Sequence, residues 1–475
     1  MSSKTRVVIL GAGPSGVGAA YQLARSGKGA ATVLERAQVV GGLAGSFELA
    51  GLRVDFGSHR LHPACAPEIL ADIRSLLGAD LLDRPRHGRI RLRGRWIHFP
   101  LKPLDLALRL PPAFALGTAG DLVARLLPRG AAAEEESFAT VLLRGLGRTI
   151  CRDFYFPYAR KIWGLAPEEL SATQARRRVK AGSLGKMAGK ILSAVPGMKP
   201  RGFGRFYYPR RGYGQISERL HEAARDLGAR FEFGAGVETV ELRSGGGCRV
   251  HFRRGDKAES LEADHAWSTI PITVLARSLR PSAPPDVLAA TEGIRYRSMI
   301  LVYLVVGRGR FSEFDAHYFP GPEIPFTRMS EPRNYSLAAE PSDRTVLCAE
   351  LPCAAGDAHW SMSDAALGAL LVETLARIGL PLQATVLQVT TRRLPQAYPI
   401  YERGYEARFA AIDRWLGTLP GVLTLGRQGL FAHDNTHHTL AMAYAAVSCL
   451  DQAGRFDRAR WAGFRDVFET HVVED

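Results

Sequence analysis

The chain has 475 residues, of which 46% are hydrophobic and 23% are charged, as in an ordinary globular protein with more than one small core. We therefore expect two or three intertwined domains and exclude a disordered or fibrous chain. The formal charge of +15 suits an anionic ligand, and no nucleic-acid recognition motif occurs in the sequence, so we expect no nucleic-acid partner.

The first predicted unit is a strand, a glycine-rich turn and a helix. Val7–Leu10 is a short apolar run, and Gly11, Gly13 and Gly16 follow it as G-x-G-x-x-G before a helical pattern. The first glycine permits a tight turn, the second lets backbone approach a diphosphate, and the third allows close helix–strand packing. The helix N-terminus then offers unpaired N–H groups to the phosphates.

A second apolar run, Ala31–Leu34, ends in Glu35, at the distance expected for an acid that binds ribose hydroxyls. Arg36 follows, and then a second glycine cluster around Gly42 and Leu43. That cluster brings backbone near a phosphate-bearing ligand, which a simple NAD-binding unit does not require. The alternative is a glycine turn that leads into a structural hairpin.

This order of elements resembles flavoproteins of the glutathione-reductase type, and among them the amine oxidase, protoporphyrinogen oxidase and UDP-galactopyranose mutase relatives. The resemblance implies non-covalently bound FAD. It also implies an α/β fold in which a Rossmann-like FAD-binding domain is interleaved with an α+β substrate domain. In these families the turn at Gly57-Ser58-His59 lies beside the isoalloxazine ring, so His59 either contacts the flavin or caps a turn.

Two stretches follow the first part of the cofactor domain. Residues 84–98 are basic and alternate with apolar residues, which predicts a hairpin around Arg93-Gly94. Its charges either face solvent or line a cleft for an anionic substrate. The leucine-rich run 101–127 is interrupted by prolines and charges, so it forms either an ordinary helical pair or a weak peripheral membrane contact.

Residues 158–164, YARKIWG, resemble the Y-T-x-K-x-W-G motif of the mutases, with alanine in place of threonine. The resemblance places Trp163 on a mobile loop that covers the substrate; the alternative is a core tryptophan after a helix. Arg178 is the best match for the arginine that binds the nucleotide diphosphate in the mutases. The Lys- and Gly-rich stretch 182–204 is a candidate lid, a lipid-surface patch or a connector.

The last third of the chain carries two further matches. Tyr398 and Tyr401 belong to a Y-P-x-Y-like stretch whose tyrosines hydrogen-bond the diphosphate in the mutases, or they cap a strand end. A strand, Gly426-Arg427 and a helix from about Thr439 resemble the unit that closes the FAD site. His437 and His438 are adjacent, which is a poor spacing for a metal pair on a helix, so we predict no metal.

The resemblance assigns site residues by position. The predicted cofactor contacts are Gly11, Gly13, Pro14, Ser15, Gly16, Glu35, Arg36, Gly42, Leu43, Gly57, Ser58, His59, Val237, Gly426, Arg427, Asn435 and Thr439. The predicted substrate or catalytic residues are His59, Trp163, Arg178, Tyr398 and Tyr401. The predicted FAD domain comprises 1–103, 205–285 and 395–475, with a mostly helical substrate or lid domain at 104–204 and a substrate domain with a sheet at 286–394.

The six cysteines form no C-x-x-C pair, so we expect buried thiols in a reducing cytoplasm. The first strand begins almost at once, so we expect no preceding signal peptide. No uncharged apolar run reaches the ~18–20 residues that span a bilayer.

The functional prediction is an FAD-dependent oxidoreductase that takes hydride from a small, anionic molecule at flavin N5, with secondary metabolism as the expected setting. The alternative is a non-redox nucleotide-sugar mutase, in which Arg178, Tyr398 and Tyr401 hold the diphosphate. A third hypothesis is a protein whose flavin is structural.

Overall fold

The computed structural model describes residues 4–101, 105, 108–124, 135–178 and 204–473, with only the backbone of residue 178. The strands are β1 (Arg6–Leu10), β2 (Ala30–Glu35), β3 (Ser46–Leu49), β4 (Leu52–Asp55), β5 (Leu81–Pro85), β6 (Gly88–Leu92), β7 (Arg95–Phe99), β8 (Arg205–Pro209), β9 (Arg230–Phe233), β10 (Ala235–Leu242), β11 (Cys248–Arg254), β12 (Lys257–Ala263), β13 (His265–Ser268), β14 (Leu279–Arg280), β15 (Tyr296–Val306), β16 (Ala316–Tyr318), β17 (Arg328–Ser330), β18 (Thr345–Cys353), β19 (Val386–Pro399) and β20 (Val422–Thr424).

The helices follow the same chain order. They are α1 (Pro14–Ser26), α2 (Pro67–Leu77), α3 (Pro112–Ala124), α4 (Phe138–Leu146), α5 (Arg148–Ile150), α6 (Phe156–Trp163), α7 (Ala172–Arg178), α8 (Gln215–Asp226), α9 (Ile272–Ser278), α10 (Pro285–Glu292), α11 (Pro332–Ser336), α12 (Ala358–Ser361), α13 (Asp364–Arg377), α14 (Tyr405–Thr418), α15 (Gly426–Gly429), α16 (Thr436–Ser448) and α17 (Arg458–Glu469).

A parallel sheet forms the centre of the cofactor domain. Its strand order is β20-β13-β1-β2-β9, and each neighbouring pair is parallel. The strands are short apolar runs because helices cover both faces of such a sheet. Helices α1 and α16 pack together on it, and the close approach is possible because Gly18 faces Leu440. The predicted Rossmann-like unit is therefore present.

A seven-stranded, mostly antiparallel sheet forms the substrate domain. Its strand order is β19-β15-β18-β17-β16-β6-β7. The predicted hairpin around Arg93-Gly94 is formed by β6 and β7. The predicted FAD domain extends to residue 103 and so includes this hairpin, whereas in the structure the hairpin belongs to the seven-stranded sheet. The hairpin lies in the substrate sheet because β6 pairs in parallel with β16, far along the chain. Alternation of apolar residues predicts a strand but does not reveal its partner.

The remaining predicted elements agree with the structure in type. The chain after residue 229 forms the strands β9–β13, and the closing helix α16 begins at Thr436, three residues before the predicted start. All six cysteines are buried free thiols, as expected. The candidate lid at 182–204 lies outside the described residues, apart from Gly204. Within the described part of the chain, no helix combines the length and the apolar character needed to cross a membrane.

Gly16 tests the packing of α1 on β1. A Cβ at this position would lie 1.9 Å from the carbonyl oxygen of Gly11. We expect Gly16→Ala to lower the free energy of unfolding by about 1–3 kcal/mol, as overpacking does, and to reduce the bound flavin. Urea unfolding and flavin absorbance measure both effects. Gly145→Ala is the matched control, since a Cβ there meets nothing within 4 Å; equal behaviour of the two variants would contradict this packing.

His317 tests the core of the substrate sheet. Its side chain is buried between aromatic rings, and burial lowers its pKa to about 3. The unfolded chain therefore binds one more proton than the folded chain between pH 3 and the usual value near 6.5. Because of this extra proton, we expect His317 to lower the free energy of unfolding by about 1.4 kcal/mol for each pH unit below about 6.5. Urea unfolding of wild type and His317→Leu should show a smaller loss in the variant; parallel pH curves would contradict the assignment.

Candidate functional site

One cavity connects the cofactor sheet with the substrate sheet. Its volume is about 550 Å³, and it opens at the carboxyl ends of β1, β2, β13 and β20. Ligands of open parallel sheets bind at this edge. The predicted site residues in its lining are Gly11, Gly13, Pro14, Ser15, Glu35, Arg36, Gly42, Leu43, Ser58, His59, Val237, Tyr398, Gly426, Arg427, Asn435 and Thr439.

The turn after β1 is shaped for a diphosphate. Gly11 has φ +99°, and a Cβ at Gly13 would meet nothing within 4 Å on the cavity wall. No side chain caps the first turn of α1, which begins at Pro14. An anion at this point would complete the helix cap and interact favourably with the helix dipole. The residues present therefore fit the pyrophosphate of FAD.

Glu35 is fixed at the end of β2 by two backbone groups. Its Oε2 accepts the N–H of Ala12 at 2.8 Å, and its Oε1 accepts the N–H of Ala37 at 2.8 Å. Each carboxylate oxygen still has a lone pair for a second donor. Because the side chain lines the cavity, this arrangement fits the binding of ribose hydroxyls.

The second glycine cluster packs directly on the first. Gly41 donates its N–H to the carbonyl of Ala12 at 2.9 Å. Gly42 has φ +51°, and a Cβ there would lie 3.2 Å from the Cα of Gly13. The two turns can meet this closely because Gly42 carries no side chain at the contact. The cluster thus supports the diphosphate turn and lines the same cavity.

Gly16 and Gly57 are absent from the lining of this cavity. Gly16 lies in α1 and lets the helix approach the turn, because a Cβ there would lie 1.9 Å from the carbonyl oxygen of Gly11. Gly57 has φ +98°, and a Cβ there would lie 3.4 Å from Oε1 of Glu350. Both glycines shape the backbone beside the cavity, so a direct contact of either with FAD stays a prediction.

His59 lies on the cavity wall, where its ring is nearly parallel to that of Tyr213 at a centroid distance of 5.3 Å. Its Nε2 is 2.9 Å from the carbonyl oxygen of Phe56, so Nε2 carries the proton. Burial lowers the pKa of the ring, which is neutral at pH 7. Nδ1 can therefore accept a hydrogen bond from a ligand.

Buried Asp55 connects the residues that surround His59 and Tyr213. It accepts hydrogen bonds from Ser46 Oγ at 2.6 Å, Tyr208 OH at 2.7 Å and Tyr213 N–H at 2.8 Å. Desolvation nevertheless raises its pKa above the usual range. The contact fixes the position of Tyr213 and thus of the ring that lies against His59.

Sequence reasoning missed an arginine–glutamate pair at the substrate end. Arg328 and Glu350 are cross-strand partners on β17 and β18. Arg328 donates from Nε and Nη2 to Glu350 at 2.8–3.0 Å, and Glu350 Oε1 also accepts the N–H of Ser58 at 3.0 Å. The glutamate thus fixes both a cavity-lining arginine and the backbone beside His59.

The cavity wall carries more positive than negative side chains. Arg60 is held by the hydroxyls of Tyr318 and Tyr335, at 3.0 Å each, and by Asp315 at 3.6 Å. The arginines of the lining are Arg36, Arg60, Arg86, Arg328 and Arg427, and its acidic residues are Glu35 and Asp434. This charge balance favours an anionic ligand.

Trp163 and Tyr401 lie behind the cavity lining. Trp163 is 4% exposed at the end of α6 and contacts the rings of Tyr398 and His433 at 5.8 and 4.8 Å. It is therefore a buried support rather than the predicted cover of the substrate. The Lys161 of the same motif ties α6 to the substrate domain by donating to the carbonyls of residues 319, 321 and 326.

Tyr401 uses its hydroxyl inside the protein. It donates to the carbonyl of Phe431 at 2.8 Å and accepts from Arg177 at 3.2 Å, while its ring stacks on Tyr405. The predicted diphosphate contact differs from this placement, because the chain turns after β19 and directs only Tyr398 into the cavity. The side chain of Arg178 lies outside the described part of the structure.

Asp434, His438 and His471 bring their potential ligand atoms within 4.8 Å of one another. The rings of His438 and His471 are nearly parallel, at 16°, with centroids 4.1 Å apart. A metal ion bound by imidazole lies in the plane of the ring, so one ion cannot satisfy two stacked rings. We interpret this group as a hydrogen-bonded cluster in which His471 contacts Asp434 at 3.3 Å.

Glu350→Gln tests the arginine–glutamate pair. Removal of one charge leaves the Arg328 guanidinium, which is only 14% exposed, without its carboxylate partner, so we expect a loss of up to about 3–5 kcal/mol in the free energy of unfolding. Urea unfolding measures the change. Asp343→Asn, which breaks the exposed pair with Arg344, is the control and should leave the unfolding curve unchanged. A Glu350→Gln variant as stable as that control would contradict the role given to the pair.

Comparisons with known proteins agree with this geometry. Residues 14–448 match the family described as flavin containing amine oxidoreductase. A zeta-carotene-forming phytoene desaturase of Myxococcus xanthus is 26% identical over 231 residues, and the match covers 45% of this chain and only 41% of that protein.

Solved structures share the fold at low identity. A reduced UDP-galactopyranose mutase has a TM-score of 0.79 and 21% identity, over 94% of this chain and 93% of that chain. A putrescine oxidase has a TM-score of 0.64 and 18% identity, over 94% of this chain and 98% of that chain. The protein is thus a member of the flavin-containing amine oxidoreductase family, and its cofactor is non-covalently bound FAD.

Proposed function

We propose that this protein is an FAD-dependent oxidoreductase that removes hydride from a small anionic molecule. The observation that carries the proposal is the continuity of one cavity, which joins the diphosphate turn at Gly11–Gly13 to arginines of the substrate sheet. When bound, FAD would supply a two-electron acceptor for the reaction. The residues of the chain then have to bind, orient and desolvate the substrate.

Arg328 is the main candidate for binding the substrate anion. Glu350 holds it through Nε and Nη2, and Nη1 has no hydrogen bond among the described residues. A guanidinium fixed in this way loses little entropy when it pairs with a carboxylate or a phosphate. Arg60 and Arg86 add positive charge to the same wall.

His59 is the candidate for orienting the reacting group. Its neutral ring can accept a hydrogen bond at Nδ1 from a hydroxyl or an amine of the substrate. Its lowered pKa makes it a weak base, so we assign it orientation rather than proton abstraction. Phe56 and Leu394 supply the apolar part of the wall and limit the entry of water. We place the reaction in a reducing compartment such as the cytoplasm, which fits six buried free thiols.

A second candidate is a non-redox nucleotide-sugar mutase. The TM-score of 0.79 with the mutase structure favours it, as does Tyr398 in the cavity wall beneath the guanidinium of Arg427 at 4.9 Å. The Tyr401 hydroxyl donates to the carbonyl of Phe431 inside the protein. This contact counts against a mutase in which Tyr398 and Tyr401 together bind the diphosphate.

An anaerobic titration separates these functions. We expect the flavin absorbance of the oxidised holoenzyme to bleach with an anionic hydride donor from a panel of small carboxylates and phosphates. Conversion of UDP-galactopyranose only after dithionite reduction would instead establish the mutase. Neither response, across panel and sugar nucleotide, would leave a structural flavin and overturn the proposal.

Arg328→Gln tests the anion site with whichever donor bleaches the flavin. We expect KM to rise at least about tenfold, because a charge-assisted hydrogen bond contributes about 1.5–3 kcal/mol, while kcat changes less. Flavin content verifies that the cofactor site persists. The exposed Arg344→Gln is the matched control. An unchanged KM in the Arg328 variant would remove this residue from the substrate site.

A further inference from the structure

The side chain of Gln428 is anchored by a hydrogen bond that fixes the direction of its carboxamide. Its Nε2 donates to the backbone carbonyl of Gln396 on β19 at 2.7 Å. A carbonyl oxygen can only accept, so the nitrogen of the carboxamide faces β19 and Oε1 is turned away from it. The partner therefore decides which atom of the amide is which.

The oxygen of this carboxamide is enclosed, and it accepts no hydrogen bond from the described residues. Within the described part of the chain, three side-chain amide oxygens share this property, those of Gln174, Asn334 and Gln428. Of these three residues, Gln428 is the one that lines the cavity. A buried acceptor without a donor costs free energy, so this position favours a ligand that brings an O–H or N–H group.

Helix α15, which carries Gln428, packs against the diphosphate turn. A Cβ at Gly426, the first residue of α15, would lie 2.6 Å from Oγ of Ser15 in the first turn of α1. Gln428 is two residues further along the chain, and its partner Gln396 also lines the cavity. Gln428 therefore lies between the diphosphate turn and β19 of the substrate sheet.

The strand order separates the two halves of the cofactor. Glu35 ends β2 on one side of β1, whereas α15 follows β20 on the other side. FAD carries adenosine on one side of its diphosphate, and the ribityl chain with the isoalloxazine ring on the other. Because Glu35 fits the ribose of adenosine, the ribityl half extends toward β20 and Gln428. The polar groups of that half nearest to the diphosphate are the ribityl hydroxyls, each of which can donate a hydrogen bond.

We propose that Oε1 of Gln428 accepts a hydrogen bond from a hydroxyl of the ribityl chain of FAD. The contact holds this chain between the diphosphate turn and the substrate sheet, so Gln428 binds the cofactor and takes no part in the chemical step. The proposal depends on FAD as the cofactor. It does not depend on the reaction proposed above, because the cofactor binds whether or not a substrate is present.

Calorimetric titration of the full-length, flavin-free protein tests the proposal. The ligands are FAD and FAD analogues that each lack one hydroxyl of the ribityl chain. We expect one of these analogues to bind wild type about three- to tenfold more weakly than FAD, as the loss of one hydrogen bond between uncharged groups predicts. This comparison uses wild type alone, so it does not require any variant to fold.

Gln428→Met removes the acceptor and keeps an unbranched side chain of similar length. We expect the variant to bind FAD about three- to tenfold more weakly than wild type does, and to bind the sensitive analogue as tightly as it binds FAD. A distortion of α15 would instead weaken every ligand by the same factor. Gln388→Met is the matched control, because Gln388 is exposed on β19 and donates to Thr390 at 3.1 Å; it should bind each ligand as wild type does.

Three results would overturn the proposal. Wild type could bind FAD and every ribityl analogue equally. Gln428→Met could weaken FAD and all analogues by one common factor, in which case the glutamine acts only through its bond to Gln396. The variant could also keep wild-type affinity for FAD, which would leave Oε1 to a different ligand. Each result is independent of the anaerobic bleaching titration, which tests the reaction.

Discussion

The structure depends on the uncapped N-terminus of α1, where helix N–H groups and the helix dipole require an anion. Two glycine turns meet at this point, where a Cβ on Gly42 would lie 3.2 Å from the Cα of Gly13, and no side chain caps the helix. An anion here completes a hydrogen-bonding pattern that the chain alone leaves open. The parallel sheet, Glu35 and the closing helix α16 are then arranged around that charge.

Positive charge has two separate locations in this molecule. One set of arginines lines the cavity, where partners such as Glu350 and Asp315 hold individual side chains in place. Other arginines lie on the outside, where Arg109 and Arg152 are ion-paired with Asp105 and Asp153. The net charge of +15 therefore does not describe one uniform basic surface.

Local patterns predicted the fold of the cofactor domain well. The strand, turn, helix, strand and Glu35 lie within 35 consecutive residues, so their spacing along the chain fixes their spacing in space. The same reasoning could not find Arg328 and Glu350, which are 22 residues apart and meet only through the pairing of β17 with β18. It also could not show that the β6–β7 hairpin joins a sheet completed more than two hundred residues later. Tyr398 and Tyr401 look equivalent in sequence, yet the turn after β19 separates their environments.

The central claim is that the turn at Gly11–Gly13 binds the pyrophosphate of FAD, and a calorimetric titration of the flavin-free protein tests it most directly. FAD and FMN carry the same isoalloxazine ring, but FMN lacks the pyrophosphate bridge and the adenosine that would reach Glu35. The account predicts that FAD binds at least about a hundredfold more tightly than FMN, since several charge-assisted hydrogen bonds are lost with the bridge. Equal affinity for the two flavins would contradict it.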